Sequence, residues 1–115
     1  MKAKVVKVDE CGLKFDNGLS LYSDHQSDCC EWHELYFKDL ELKDFDGLEF
    51  DLSNEKFFNK IPDYGIELVP LKGHTVKIAG HGSNNGYYST ELTLVIKGSG
   101  YFVEYDITEC QDIDD

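Results

Sequence analysis

The strongest constraint on this fold is the run from Tyr87 to Ile107, two alternating segments joined by Gly98-Ser99-Gly100. In the first, Tyr88, Thr90, Leu92, Leu94 and Ile96 fall on one face, and Ser89, Glu91, Thr93 and Lys97 on the other. In the second, Tyr101, Val103, Tyr105 and Ile107 share the inward face. A period of two marks strands with one buried side. A turn this short can only return the chain antiparallel, because a parallel return needs a crossover of a dozen or more residues.

The same signal recurs along the chain. Lys4 to Val8 reads as a strand, and Gly12 to Phe15 and Leu19 to Tyr22 flank the hairpin turn Asp16-Asn17-Gly18. Leu48 to Leu52 alternates, Ile66 to Leu71 reads as an edge strand because of Pro70, and Gly73 to Ala79 completes the set. Residues 53–63 carry the weakest pattern, with a turn at Pro62 and a short helical turn over 54–59. A period of 3.6 occurs once: Trp32, Leu35, Tyr36 and Leu40 stand at i, i+3, i+4 and i+8. Asp28 as N-cap, with Glu31 three residues on, predicts a helix over 29–42, stopped by Asp44-Phe45-Asp46-Gly47. The predicted class is α+β: a curved, mainly antiparallel sheet, split or barrel-like, of about six to eight strands with one main helix. The 115 residues form a single domain, 1–115, whose acidic tail over 109–115 carries no base and is predicted to fray.

The formal net charge of −12 argues against nucleic-acid binding and against anionic membranes, and allows a basic partner. Met1-Lys2-Ala3-Lys4 leads into a strand rather than an apolar leader, and no apolar run approaches the ~18 residues of a membrane span. A cytoplasmic location follows, with reduced thiols. Of the four cysteines, Cys29 and Cys30 are adjacent, which does not read as a disulfide framework.

Chemistry is concentrated in Asp24-His25-Gln26-Ser27-Asp28-Cys29-Cys30-Glu31-Trp32-His33. His25, Cys29 and His33 are the candidate metal ligands, for zinc or another divalent ion; on a helix Cys29 and His33 share a face. Adjacent side chains on a helix diverge by ~100°, so Cys30 does not join the same tetrahedral ion. A thiol at a helix start is favoured as thiolate by the dipole and disfavoured by Asp28 and Glu31. Cys29 or Cys30 with His25 or His33 as base satisfies part of a nucleophilic site, but nothing marks an oxyanion hole, so no catalytic residue is assigned. The loop Gly80–Gly86 matches no phosphate-binding fingerprint and reads as a plain connection closed by Asn85-Gly86. Asp24, His25 and Cys29 are expected to be partly buried and hydrogen-bonded to the region Asn85–Tyr88, because buried unpaired polar groups cost ~1–3 kcal/mol each.

The run Asp24-His25-x-x-Asp28-Cys29-Cys30-Glu31, with Asn85-Gly86-Tyr87-Tyr88-Ser89 downstream, resembles a family of short proteins of bacteriophages and of bacteria carrying phage-derived genes. That resemblance implies a two-part motif made of Asp24, His25, Asp28, Cys29, Cys30 and Glu31 with Asn85, Gly86, Tyr87 and Tyr88, and it supplies no substrate. The leading reading is a small acidic module that binds another protein and is not an enzyme. The alternatives are a metal-dependent or thiol-dependent site at Asp24–His33, and an acidic mimic of nucleic acid that inhibits a host protein.

Overall fold

The computed structural model describes residues 2–24, 32–53, 55–83 and 91–114. In chain order the strands are β1 (Lys2–Ala3), β2 (Val5–Asp9), β3 (Gly12–Phe15), β4 (Ser20–Asp24), β5 (Trp32–Leu35), β6 (Phe50–Asp51), β7 (Phe58–Ile61), β8 (Gly65–Leu68), β9 (Val76–Ser83), β10 (Thr93–Gly98), β11 (Tyr101–Asp106) and β12 (Asp112–Asp114). They form three sheets. One is the two-stranded β1–β6 ladder, and one is five-stranded in the order β11-β10-β4-β3-β2. The third is built on β9, which pairs with β8 through Val76–Ala79 and with both β5 and β12 through its second half. Every pairing is antiparallel except β9–β12.

Turn chemistry explains the hairpins. β10 returns into β11 through Ser99-Gly100, both at positive φ (50° and 79°), the primed-turn geometry that matches strand twist. At the β2–β3 turn the Asp9 carboxylate accepts the backbone N–H groups of Cys11 (2.9 Å) and Gly12 (3.0 Å). Between β3 and β4, Asn17 Oδ1 accepts the Leu19 N–H at 3.2 Å.

The inward faces of the sheets share one core. Leu13, Leu21, Leu92, Leu94 and Ile96 from one side meet Ile66, Leu68, Ile78, Leu35 and Phe37 from the other, each 2% exposed or less. Phe50, fully buried, packs its ring edge-on to Phe15 and Phe45 at 6.3 and 6.5 Å. Tyr105 bridges the sheets by contacting Phe57 and Phe58 at 5.8 and 5.1 Å.

The α+β class is overturned, and with it the helix over 29–42. Among the described residues no helix reaches seven residues and no barrel closes. The helical content there is two 3₁₀ turns, Leu42–Phe45 and Glu55–Phe57. Trp32–Leu35 is a strand, and the pattern runs on extended as the Tyr36 N–H donates to the Ala79 carbonyl at 2.7 Å. Leu35 and Phe37 are buried with half-exposed Tyr36 between them, a period of two. The helical stripe uses Leu35 and Tyr36 but turns Phe37 away from the core, forfeiting ~1.5–3 kcal/mol of burial. The strand keeps that burial and satisfies the open side of β9.

The structure also differs at Pro70 and at the tail. β8 is paired on both sides, by β7 and β9, and ends before Pro70, so it is not an edge. The tail does not fray at 109. The Asp63 N–H donates to the Glu109 carbonyl (2.8 Å), and Lys60 Nζ lies 3.4 Å from the Glu109 carboxylate. Cys110 and Gln111 are then buried, and β12 runs parallel to β9.

Candidate functional site

Of the metal candidates, only His33 lies within the described residues; its backbone pairs with Gly82 in the β5–β9 ladder. His25 and Cys29 lie outside them, as do Asp28, Cys30, Glu31, Asn85, Gly86, Tyr87 and Tyr88. Asp24 is described: it is exposed, not partly buried as expected, and ends β4 opposite Thr93 of β10. Trp32, where the described chain resumes, sits opposite Ser83, the last described residue before the second motif. The described residues that flank the two motifs are therefore neighbours at both ends: Asp24 beside Thr93, and Trp32 beside Ser83. The Ser23 hydroxyl accepts the Leu35 N–H at 3.0 Å, tying these two anchor points together.

Among the described residues no group of three His, Cys, Asp or Glu side chains is placed to hold a metal ion. His81 stands in one row with Glu34 and Asp112 across three strands, its ring edge-on to Tyr36 at 5.6 Å. Cys11 is an exposed free thiol. Cys110 is buried, and burial first, then the Glu109 charge, pushes its thiol pKa up, which makes it a packing residue rather than a nucleophile.

The outer face of the five-stranded sheet holds features that the sequence reading missed. Strand register aligns Phe102, Lys97, Ser20, Lys14 and Lys7 in one row. The next row is Glu104, Val95, Tyr22, Gly12 and Asp9, and the third is Asp106, Thr93 and Asp24. A groove of about 300 Å³ lies on this face, lined by Cys11, Gly12, Lys14, Ser20 and Tyr22 among others.

The border of this sheet at β11 is open. The Ile107 N–H donates to the Leu92 carbonyl at 2.9 Å, which fixes the parity of the ladder. Tyr101, Val103 and Tyr105 turn their backbone groups toward β10, and Phe102, Glu104 and Asp106 turn theirs outward. Among the described residues no strand pairs with β11 on that side. Phe102 is 57% exposed, and Glu104 and Asp106 are exposed beside it.

Sheet edges invite pairing, and proteins blunt them with bulges, charged side chains (lysine above all), prolines or shortness. β2 carries a bulge between Val5 and Lys7, with Lys7 itself on the strand. β5, β7 and β12 are four residues long or fewer. β11 has six residues, Tyr-Phe-Val-Glu-Tyr-Asp, with no bulge, proline or lysine. On its inner side Tyr101, Val103 and Tyr105 are half-buried and pack against the core, and the Tyr101 hydroxyl reaches the Leu52 carbonyl at 3.3 Å. Partial burial, then the neighbouring Tyr101 and Glu55, raises the Tyr105 phenol. The strand itself was legible in the alternation of residues 101–107, but only the strand order shows that no described strand pairs beyond it.

Comparison with family models, with curated proteins and with solved structures gave no match. The phage-protein resemblance therefore stands on its two residue runs alone.

Proposed function

We propose that this chain is a non-enzymatic protein-binding module of the cytoplasm that receives an extended segment of its partner on the free edge of β11. The observation that carries this reading is the outward backbone of Phe102, Glu104 and Asp106 on a six-residue strand without bulge, proline or lysine. Adding a strand satisfies those groups and buries part of Phe102, whereas main-chain hydrogen bonds alone would give affinity without selectivity. No helix among the described residues is long and apolar enough to cross a membrane.

The test is Glu104→Pro. The Glu104 N–H takes no part in the β10 ladder, so proline there removes an outward donor and leaves the inner pairing intact. Wild type and variant, matched for melting temperature and circular dichroism, serve as bait in a lysate of the cells that make the protein. A protein retained by the wild type and lost with Glu104→Pro supports the reading. An identical captured set for both baits, or no captured protein, refutes it.

A further inference from the structure

The charges on β11 specify the chemistry of the strand it accepts. We infer that the partner segment is cationic on one face and apolar on the other, with lysine or arginine opposite Glu104 and Asp106 and an apolar side chain opposite Phe102. This deepens the edge reading above and rests on it.

An incoming strand extends the rows of the outer face. Its residue opposite Phe102 continues a row that already holds Lys97, Lys14 and Lys7, where a further cation is repelled and an apolar side chain covers the exposed ring. Its residues opposite Glu104 and Asp106 meet carboxylates whose cross-strand neighbours, Val95 and Thr93, carry no charge; beyond them, Lys60 is the cation that acts on Asp106. Cross-strand partners of opposite charge stabilise such a pair, and like charges oppose it. The alternate positions of the incoming strand lie on the same side as half-buried Tyr101, Val103 and Tyr105, so they are apolar. The pattern is the same for a parallel or an antiparallel arrival, because side chains alternate in both.

A second copy of this chain is the competing occupant, and its charges disfavour it. Antiparallel pairing of two β11 strands about Glu104 sets Glu104 against its own copy and Asp106 against Phe102. Each copy also carries a net charge of −12, so the encounter itself is repelled. A basic partner is drawn by the same field.

The experiment uses the full chain and three labelled eight-residue peptides: alternating lysine and valine with one phenylalanine, the same with glutamate for lysine, and the lysine peptide with all its backbone amides N-methylated. Fluorescence anisotropy is read at low and high salt. The lysine peptide is expected to bind wild type and to weaken as salt rises. Replacing both carboxylates, Glu104→Lys with Asp106→Lys, is expected to weaken that peptide by about tenfold or more and to strengthen the glutamate peptide. N-methylation is expected to abolish binding, since it removes the main-chain donors. Equal affinity for the lysine and glutamate peptides overturns the inference, as does a double variant that binds the lysine peptide unchanged. An N-methylated peptide that binds as tightly overturns it too, because that describes adsorption to an acidic surface. Loss of partner capture with Glu104→Pro, combined with indifference to peptide charge, refutes the charge assignment while the edge reading survives.

Discussion

Replacing Gly80 by alanine tests how the C-terminal segment is held against β9. Gly80 is not needed for its backbone angles; it is needed for its missing side chain. A Cβ at this position falls 2.3 Å from the carbonyl oxygen of Cys110, whereas real Cβ contacts begin near 3.0 Å. The obstruction is the backbone of Cys110 and Gln111, and Gly80 is itself pinned by donating to the Tyr64 carbonyl at 2.6 Å. Either β9 shifts against β5 and β8, or the chain from Cys110 to Asp114 lifts away. Forced overpacking of this kind costs about 1–3 kcal/mol. With unfolding entropy near 2.1 cal/mol/K per residue, the 115-residue chain loses ~0.24 kcal/mol per degree, so the melting temperature falls by roughly 4–12 °C. The assay is thermal unfolding with mass-spectrometric mapping of iodoacetamide labelling at Cys110, which is fully buried in the wild type. Lifting of the tail exposes that thiol below the melting transition. A melting temperature within ~2 °C of wild type, together with unchanged Cys110 labelling, would refute the close-approach argument.

Three further outcomes follow from the geometry. Leu94→Ala, at a fully buried site in the central strand β10, is expected to cost about 3–5 kcal/mol by chemical denaturation, and a loss under ~1 kcal/mol would contradict its place in the core. In native-state hydrogen exchange the amides of Phe102, Glu104 and Asp106 should exchange much faster than those of Val103, Tyr105 and Ile107, and uniform protection along β11 would show that the edge is covered. The Asp106 carboxylate accepts the Thr108 hydroxyl (2.6 Å) and N–H (3.0 Å), which hold its pKa below the ordinary value of 3.8. Its contribution is present above that ordinary value and is lost as pH falls through the lowered one, so a carbon-detected NMR titration should give a low midpoint that rises in Thr108→Val, and an unmoved midpoint would remove the cause.

Much of the sheet could be read from residue order because the information is local. Asp16-Asn17-Gly18 and Gly98-Ser99-Gly100 encode turns through side-chain acceptors and positive φ, and the alternation of Leu92, Leu94 and Ile96 encodes a buried face. The helix over 29–42 was misread because Trp32, Leu35, Tyr36 and Leu40 satisfy a helical period, while the strand period is carried by Leu35 and Phe37. The choice was made by the open side of β9, some 45 residues away in the sequence, together with the burial of Phe37. The tail was misread for the same reason: its composition is acidic, but Glu109 is captured by Lys60 and by the Asp63 amide. Of the expected metal set, His25 and Cys29 lie outside the described residues.

What the sequence by itself determined is where strands turn, which faces are apolar, and a net charge of −12. Those properties depend on neighbours a few residues apart and on sums over the chain. Which strand lies beside which, and which strand is left without a neighbour, was decided by the tertiary structure. Nothing in Tyr101–Asp106 distinguishes a central strand from an edge. Only the register that aligns Lys7, Lys14 and Lys97 in one row, and stops the sheet at β11, turns an ordinary alternating segment into an open surface with a defined charge.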